Sequence, residues 1–436
     1  MSGEGRIWVG YTTRYREGGA ENERAARTMA RELADRHGAW RVELERVESK
    51  REFVDAVRRT EAWGGLAQLH LLGHSGMYGP MFRTTAMPEQ LSPHEWRTLR
   101  LPFVAGGEAF FHACRTARWF APFFARTQGV PASGYHWYTT FSARPDRFAW
   151  EPPWRASRDR PLWLFGCEGR KSHGWEGSVR KYLGAPPEPL KRFLPEPPAG
   201  DPSYDRVAER YARTFRDIRV RVDEWRWLRE HLPPGPLRVL DIGCGNGALL
   251  RQLAPDLQEG LGVDASSAMV AIARRDTPDP HLRFEHVDGP VLPAADGSVD
   301  VVISLLSFRY LDWDPLMNEI RRVLAPGGRL LVVDMVTAPP TARELPRLAV
   351  DVARGRVRRW RNPAFDRELR ELVGDPAWDA MLAHNPIRAQ HELVWYLESR
   401  FPGRRVELLN VGRTARVLAF DSGPLQPGST APQSYP

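Results

Sequence analysis

The chain has 436 residues, a formal net charge of +8 and three cysteines, Cys114, Cys167 and Cys244. This length predicts two domains rather than one core, and three unpaired cysteines exclude a disulfide framework and a zinc ribbon, so we expect no metal site. The basic residues are spread along the whole chain, which favours a solvated surface over a nucleic-acid-binding face. No apolar run is long enough to span a membrane and no signal-peptide core opens the chain, so we expect a cytoplasmic protein without a membrane partner.

Strands and helices are predicted to alternate along residues 1–184. The apolar spacing predicts strands at 6–12, 40–47, 66–72 and 108–114, with helices over 21–37 and 49–63 between them. Alternation of this kind is typical of an α/β domain with a mostly parallel sheet. We therefore predict that the first half folds as an α/β unit of its own.

Two reactive side chains follow neighbouring strands of this predicted sheet, His74 and Cys114. The carboxyl ends of parallel strands line a common crevice, so we expect the two to lie close together. An imidazole can take the proton of a thiol, and a helix predicted over 115–126 would stabilise the thiolate with its N-terminus. The alternative is a buried cysteine and a turn histidine in a non-catalytic domain.

The strand before His74 and the run Phe111-His-Ala-Cys-Arg-Thr116 resemble the caspase-like cysteine peptidases, in particular their CHAT branch. The resemblance implies a caspase-like fold, a His74/Cys114 dyad and a protein substrate for this half. The sequence departs from the family pattern at two positions. Ser75 separates His74 from Gly76, and Ala117 stands where a glycine is usual.

Residues 185–202 are rich in proline and predict a semi-rigid linker between the two halves. One or two helices are predicted after it, over 204–232. Beyond them, 237–242 reads as a buried strand that contains Asp241 and runs directly into a loop with Gly243, Gly245 and Gly247. Alternating glycines between a strand and a helix let a ligand approach bare backbone, and the helix N-terminus offers it free N–H groups.

Further predicted strands follow this loop, and several of them end in an acidic residue. The first runs over 260–264 and ends at Asp264, about 20 residues after the glycine loop, where nucleotide-binding α/β folds place a ribose-binding carboxylate. The next ends at Asp288, and two more are predicted over 298–304 and 329–334.

In this combination, residues 203–422 resemble the class I S-adenosylmethionine-dependent methyltransferases. The Gly-x-Gly-x-Gly loop differs from the pattern of NAD-binding proteins. The resemblance implies a Rossmann-like, mostly parallel seven-stranded sheet, S-adenosylmethionine as cofactor, and a cover helix from which Tyr204 or Tyr211 contacts it. It assigns the methionine end to Asp241 and the glycine loop, the ribose to Asp264, the adenine to Asp288, and the mouth of the acceptor pocket to 305–308. The implied cofactor-binding residues are Tyr211, Asp241, Gly243, Cys244, Gly245, Asn246, Gly247, Asp264, Ala265, Val287, Asp288 and Leu305.

A long segment, 338–402, separates the fifth predicted strand of this half from a closing hairpin over 404–420. In the methyltransferase family an insertion at this place covers the substrate. Its most basic run, 354–361, is either a solvated face or an anion-binding surface. His384 and His391 are candidate bases, and residues 423–436 are expected to form a disordered tail.

We therefore predict an enzyme that transfers a methyl group from S-adenosylmethionine to a small-molecule acceptor. Alignment of donor and acceptor accounts for much of such catalysis, and a base is needed only for an acceptor that loses a proton. Two alternatives stay open. The chain is a cysteine peptidase regulated by a cofactor-sensing domain, or both halves are non-catalytic binding modules of an assembly.

Overall fold

The computed structural model divides the chain into two compact units, Met1–Pro197 and Pro198–Pro436. It describes residues 5–13, 19–76, 79–83, 89–91, 93–152, 154, 157, 159–167, 179, 181, 186–195, 204–311, 313–338, 340–384, 388, 390–413 and 415–425. No helix within these ranges is both long and apolar enough to cross a bilayer.

The described part of the first unit contains a six-stranded sheet in the order β11-β8-β7-β3-β1-β2. Strands β1, β2, β3, β7 and β8 pair in parallel, and β11 is antiparallel to β8 at the edge. Two small antiparallel sheets, β4-β5-β6 and β9-β10, accompany it. The strands are β1 (Arg6–Tyr11), β2 (Val42–Arg46), β3 (Leu66–Leu72), β4 (His74–Gly76), β5 (Gly79–Arg83), β6 (Glu89–Gln90), β7 (Phe103–His112), β8 (Ala132–Gly134), β9 (Tyr138–Ser142), β10 (Trp163–Cys167) and β11 (Lys191–Phe193).

Apolar helices cover both faces of this sheet. Helix α1 packs its alanine and leucine side chains on one face, with Ile7 and Val9 of β1. Phe53 of α2 and Phe124 of α4 pack on the other face, around Trp8. Burial on both faces is what a parallel sheet requires. The helices are α1 (Gly19–His37), α2 (Lys50–Arg59), α3 (Pro93–Thr98) and α4 (Phe120–Gln128).

Part of the segment predicted as a linker is an edge strand of the first unit. Residues 191–193 pair with 132–134 of β8, and the carboxylate of Glu188 accepts hydrogen bonds from the backbone N–H groups of His136 and Trp137 at 3.2 and 3.1 Å. These contacts satisfy backbone donors that a free linker would leave unpaired. The division between the units consequently falls at Pro197, later than residue 184.

The second unit contains, among its described strands, a seven-stranded sheet in the order β14-β13-β12-β15-β16-β18-β17. Strand β18 is antiparallel to both of its neighbours, and the other pairings are parallel. The strands are β12 (Leu237–Ile242), β13 (Leu257–Asp264), β14 (Leu282–His286), β15 (Val299–Leu305), β16 (Leu324–Thr337), β17 (Glu407–Val411) and β18 (Ala415–Asp421).

Helices flank this sheet on both faces as well. Helices α6, α7 and α8 pack on one face, and α9 and α13 pack on the other. Among its described residues, the predicted insertion 338–402 contains four α-helices between β16 and β17, α10 to α13. The helices are α5 (Ala208–Thr214), α6 (Val222–His231), α7 (Ala248–Leu253), α8 (Ser267–Asp276), α9 (Trp313–Val323), α10 (Leu345–Arg361), α11 (Pro363–Val373), α12 (Pro376–His384) and α13 (Gln390–Arg400).

The beginning of the predicted tail is ordered. Leu425 exchanges two backbone hydrogen bonds with the Gly327–Gly328 turn, at 2.9 and 2.8 Å. Residues 423–425 therefore extend the sheet region instead of forming a tail, and 426–436 lie outside the described residues.

Candidate cofactor and acceptor site

The glycine loop joins the end of β12 to the start of α7. Gly243, Gly245 and Gly247 all have positive φ, +76°, +53° and +73°, a conformation that side-chain-bearing residues rarely adopt. The loop is fixed to the next strand, because the N–H groups of Gly243 and Cys244 both donate to the carbonyl oxygen of Val263 at 2.7 and 3.0 Å. The predicted strand, glycine turn and helix are all present.

Gly245 borders open space, whereas Gly243 is tightly packed. A Cβ built on Gly243 would lie 2.3 Å from the Cβ of Ser307, but a Cβ on Gly245 would meet nothing nearer than Cε1 of Tyr211, at 3.8 Å. A ligand can therefore approach the backbone at Gly245, beneath the tyrosine ring.

Asp241 is a buried carboxyl group beside this space. The residue is 1% exposed, and its Oδ1 atom has no hydrogen-bond partner within the described part of the chain. Burial, and after it the charge of Asp264, raises the pKa of Asp241 to about 8. Buried polar atoms are normally paired, so this carboxyl group fits a ligand that brings a cation or a hydrogen-bond donor.

Asp264, at the end of β13, is held by two backbone groups. Its carboxylate accepts hydrogen bonds from the N–H groups of Gly245 and Ser266, each at 2.8 Å. Burial nevertheless raises the pKa of this carboxyl group. The strand-end acid and the central glycine of the loop are thus one structural unit.

Asn246 connects the loop to the helix that precedes the sheet. It is 3% exposed, and its side-chain amide donates to the carbonyl oxygens of Ala212 and Phe215 at 3.2 and 3.3 Å. These carbonyls belong to the last turn of α5 and the residue that caps it. The cover helix expected over 204–232 therefore lies directly on the glycine loop.

An aromatic cluster, formed by Tyr204, Tyr211, Tyr310 and Trp378, adjoins this loop. The ring of Tyr204 lies 5.8 Å from Tyr211, 6.0 Å from Tyr310 and 6.2 Å from Trp378, measured between centroids. Tyr211 also stacks on Trp378 at 6.4 Å. The cluster thus combines the segment before the sheet, the exit of β15 and helix α12 of the insertion.

A buried ion pair supports one side of the aromatic cluster. The Asp334 carboxylate, which is 0% exposed, pairs with the Arg309 guanidinium and accepts the N–H of Met335 at 2.6 Å. Arg309 Nη2 donates to the phenol oxygen of Tyr310 at 2.8 Å, and the Tyr204 hydroxyl donates to the same oxygen at 3.1 Å. With two bonds accepted, the Tyr310 O–H is left as a donor.

Sequence reasoning assigned no role to Tyr310, Arg309 or Trp378. Only Asp334 carried a signal, because it lies in the predicted fifth strand of this half, near its end. The other residues reach the site through packing between strand exits and insertion helices, which local sequence patterns do not encode.

The remaining predicted site residues lie in different surroundings. Asp288 and Ala265 are exposed, whereas Val287 and Leu305 are half-buried. Phe308 does not line a pocket mouth as expected, because it is fully buried and stacks on Trp313. The side chains of His384 and His391 lie outside the described residues.

In the first unit, His74 and Cys114 follow adjacent parallel strands, since Leu72 is in register with His112. The Ser75 hydroxyl donates to the backbone carbonyl of Cys114. The half-buried thiol lies 3.3 Å from the N–H of Thr139 and 3.2 Å from its hydroxyl. The dyad itself stays a prediction.

One expectation for this region was wrong. Arg115 adopts a left-handed conformation and a short 3₁₀ turn follows it, so helix α4 begins only at Phe120. No α-helix N-terminus directly follows Cys114, and the N–H of Thr139 is the backbone donor to its sulfur.

Comparison with known proteins identifies the second unit. Residues 240–332, which contain the glycine loop and Asp264, match the family model described as methyltransferase domain. The chain is 36% identical over 149 residues to a demethylmenaquinone methyltransferase of Thermus thermophilus, covering 32% of this chain and 67% of that protein. The chain belongs to the methyltransferase family. S-adenosylmethionine is the cofactor of this methyltransferase domain.

Two further relatives differ in their sequence identity to this chain and in the share of their own length that it covers. A 2-methyl-6-phytyl-1,4-hydroquinone methyltransferase of Synechocystis is 34% identical over 169 residues, covering 38% of this chain and 52% of that protein. The solved structure of an S-adenosylmethionine-dependent methyltransferase from Mesorhizobium loti is 22% identical and covers 45% of this chain and 97% of that chain, with a TM-score of 0.31. The methyltransferase thus spans from about half to two thirds of the length of the two curated relatives.

Proposed function

We propose that this protein transfers the methyl group of S-adenosylmethionine to a small aromatic acceptor that carries a phenolic hydroxyl, of the hydroquinone class. The observation that carries the proposal is the aromatic cluster beside the glycine loop, in which the Tyr310 oxygen accepts two hydrogen bonds and its own O–H remains as a donor. The names of two relatives, which act on demethylmenaquinone and on a phytyl hydroquinone, support the same class of acceptor.

The cofactor's binding residues follow from the buried carboxyl groups. We assign the amino group of the methionine end to Asp241, because its unpaired Oδ1 and raised pKa call for a positive partner. Asp264 would accept the ribose hydroxyls, and Gly245 would give the cofactor room at the loop. Asp288 and Val287, which follow β14, would contact the adenine. When bound, S-adenosylmethionine supplies an electrophilic methyl group on its sulfonium.

The aromatic cluster would bind the ring of the acceptor. Rings of this kind stack or meet edge to face, and Trp378 contributes a ring from the insertion. The cluster would also exclude water from the acceptor, so that charged groups interact more strongly there.

Tyr310 would stabilise the acceptor in its more nucleophilic form. A phenolic acceptor becomes a stronger nucleophile as its hydroxyl loses a proton, and the resulting oxyanion accepts a hydrogen bond from the Tyr310 O–H. Arg309 reinforces that bond, because it donates to the same phenol oxygen and is held by Asp334. The acceptor oxygen, or a ring carbon next to it, would then take the methyl group as the bond of that methyl to sulfur breaks and the thioether leaves, and the phenolic proton would pass to solvent. Methylation at carbon also releases the ring proton.

The test is a labelled-methyl transfer assay with a panel of reduced quinones and simple phenols. We expect transfer to at least one hydroquinone. Tyr310→Phe should lower kcat about 10²-fold with an unchanged Kd for the cofactor, as loss of one oxyanion donor does elsewhere. Tyr204→Phe is the matched control, because it removes a hydroxyl that only donates to Tyr310, and it should cost much less.

Two results would refute the assignment of the acceptor. Transfer only to non-aromatic acceptors would contradict the role of the aromatic cluster. Equal kcat for the Tyr310→Phe variant and the unaltered protein would contradict the role of its hydroxyl.

For the first unit we keep cysteine peptidase activity as a second proposal. It is favoured by the contact of the Cys114 sulfur with the N–H of Thr139, since a hydrogen bond of this kind stabilises a thiolate. His74, two residues beyond β3 as Cys114 is beyond β7, would be its base.

A further inference from the structure

Helix α10 presents a row of uncharged side chains to solvent. At about 100° per residue, six residues without charge lie within one side of the helix, Pro346, Ala349, Val350, Ala353, Val357 and Trp360. All six are exposed. Trp360 is 81% exposed, Val350 48% and Val357 46%. We call these six residues the outer face.

Polar contacts attach the opposite side of α10 to the methyltransferase unit. The Asp351 carboxylate accepts the N–H of Val411 at 3.0 Å, and Arg358 forms two hydrogen bonds with Asp223 at 2.9 and 3.0 Å. The Arg347 guanidinium donates to the carbonyl oxygen of Leu408 at 2.7 Å. A surface helix normally buries its apolar stripe. Leu348 and Val352 on the opposite side are half-buried, but the outer face has no such cover.

Arginines lie along both edges of the outer face. Helix α10 contains six arginines and a single acidic residue, Asp351. By the same angular spacing, Arg354 and Arg361 lie on one edge of the outer face, and Arg356 lies on the other. An open groove of about 890 Å³ beside the helix has six arginines in its lining and one acidic residue, Asp217, which pairs with Arg219. The arginines are Arg219, Arg356, Arg358, Arg359, Arg361 and Arg413.

We propose that the outer face of α10 binds the surface of an anionic phospholipid bilayer. An apolar stripe with a tryptophan near one end and cationic residues at its edges is the pattern of helices that lie in the membrane interface. Trp360, Val357 and Val350 enter the headgroup region, and the flanking guanidinium groups meet lipid phosphates.

The charge pattern favours a lipid surface over other occupants. A second copy of α10 would bring its own arginines against these and be repelled. Nucleic acid would satisfy the arginines but would leave the valines and the tryptophan between them without apolar contacts. This inference departs from the sequence-based expectation of no membrane partner, and it does not depend on the identity of the methyl acceptor.

The test measures binding of the full chain to vesicles by co-sedimentation at low salt. We expect binding to phosphatidylglycerol–phosphatidylcholine vesicles at least tenfold tighter than to phosphatidylcholine alone. The double variant Val357→Ser with Trp360→Ala should weaken it at least tenfold. Trp154→Ala is the matched control, because Trp154 is 79% exposed in the first unit, and it should leave binding unchanged.

A second pair of variants tests the charges. Arg354→Gln with Arg361→Gln should weaken binding by about fivefold per arginine. Arg31→Gln with Arg51→Gln removes the same charge from exposed positions on α1 and α2 and should have a much smaller effect. Cofactor affinity, which should be unchanged in every variant, shows that the methyltransferase unit is folded.

Several results would overturn the proposal. The unaltered protein could fail to sediment with the anionic vesicles, or both arginine pairs could weaken binding equally. A dimer in solution that the Val357/Trp360 variant abolishes would show that a second copy occupies the outer face. Tight binding of duplex DNA that requires the arginines, with vesicle binding independent of Trp360, would identify nucleic acid as the partner.

Discussion

Replacing Asp241 by asparagine should stabilise the ligand-free protein in a pH-dependent way and abolish cofactor binding. The pKa of this carboxyl group is raised from an ordinary 3.8 to about 8, because it is buried and lies near Asp264. The folded state therefore holds a proton that the unfolded state releases, and stability falls as pH rises from about 4 to about 8. Asparagine cannot ionise, so it avoids this loss.

The magnitude follows from the two pKa values. Each pKa unit corresponds to about 1.36 kcal/mol. The raised pKa of Asp241 therefore lowers the unfolding free energy of the unliganded protein by about 2 kcal/mol at about pH 5 and by about 5 kcal/mol at about pH 8. The difference in unfolding free energy between the Asp241→Asn variant and the unaltered protein should thus grow by about 3–4 kcal/mol over this range. Any fixed cost of burying the amide adds a constant and leaves this slope unchanged.

The assay is urea unfolding of both proteins without cofactor across this pH range. Asp300→Asn is the matched control, because the Arg238 side chain, which hydrogen-bonds to Asp300, lowers the pKa of that carboxyl group. Asp300 contributes stability that is present above its unfolded pKa and is lost only below about pH 4, so over the assay range its variant should differ from the unaltered protein by a constant amount, without a slope. Saturating S-adenosylmethionine should stabilise the unaltered protein and not the Asp241→Asn variant. If the unfolding free energies of the Asp241→Asn variant and the unaltered protein change in parallel with pH, the reasoning is refuted.

Three further predictions concern single side chains. Gly245→Val should abolish cofactor binding measured by calorimetry, because it fills the space beneath Tyr211, whereas Gly297→Val, also at positive φ with open surroundings, should bind normally. Asp264→Ala should weaken cofactor affinity about 10- to 100-fold through the loss of a charged hydrogen bond; a change below about threefold contradicts its role. His74→Ala should slow the reaction of Cys114 with iodoacetamide at neutral pH, because the imidazole would act as the base of the thiol; an unchanged rate removes the dyad.

The cofactor half of the site was predictable because its signals are local. A strand, the alternation Gly243, Gly245, Gly247 and a strand-end acid at Asp264 lie within short stretches, and each stretch folds as its pattern indicates. The proposed acceptor side was not predictable, because Tyr310 and Trp378 each pack on the ring of Tyr204 from elements that are distant in sequence. For α10 the sequence drew attention only to the basic run 354–361, because local charge is legible in a sequence whereas the side of a helix that faces the protein is not.

The edge position of β11 determines how the first unit can be isolated. Ending the polypeptide at residue 184 would remove Lys191–Phe193 and expose the outer hydrogen-bonding groups of β8. A bare strand edge is a template for intermolecular pairing, so such a truncation would be prone to self-association for reasons unrelated to peptidase chemistry. A polypeptide that continues to Pro197 retains the strand that caps this edge, and it is the form in which the thiol of Cys114 should be studied.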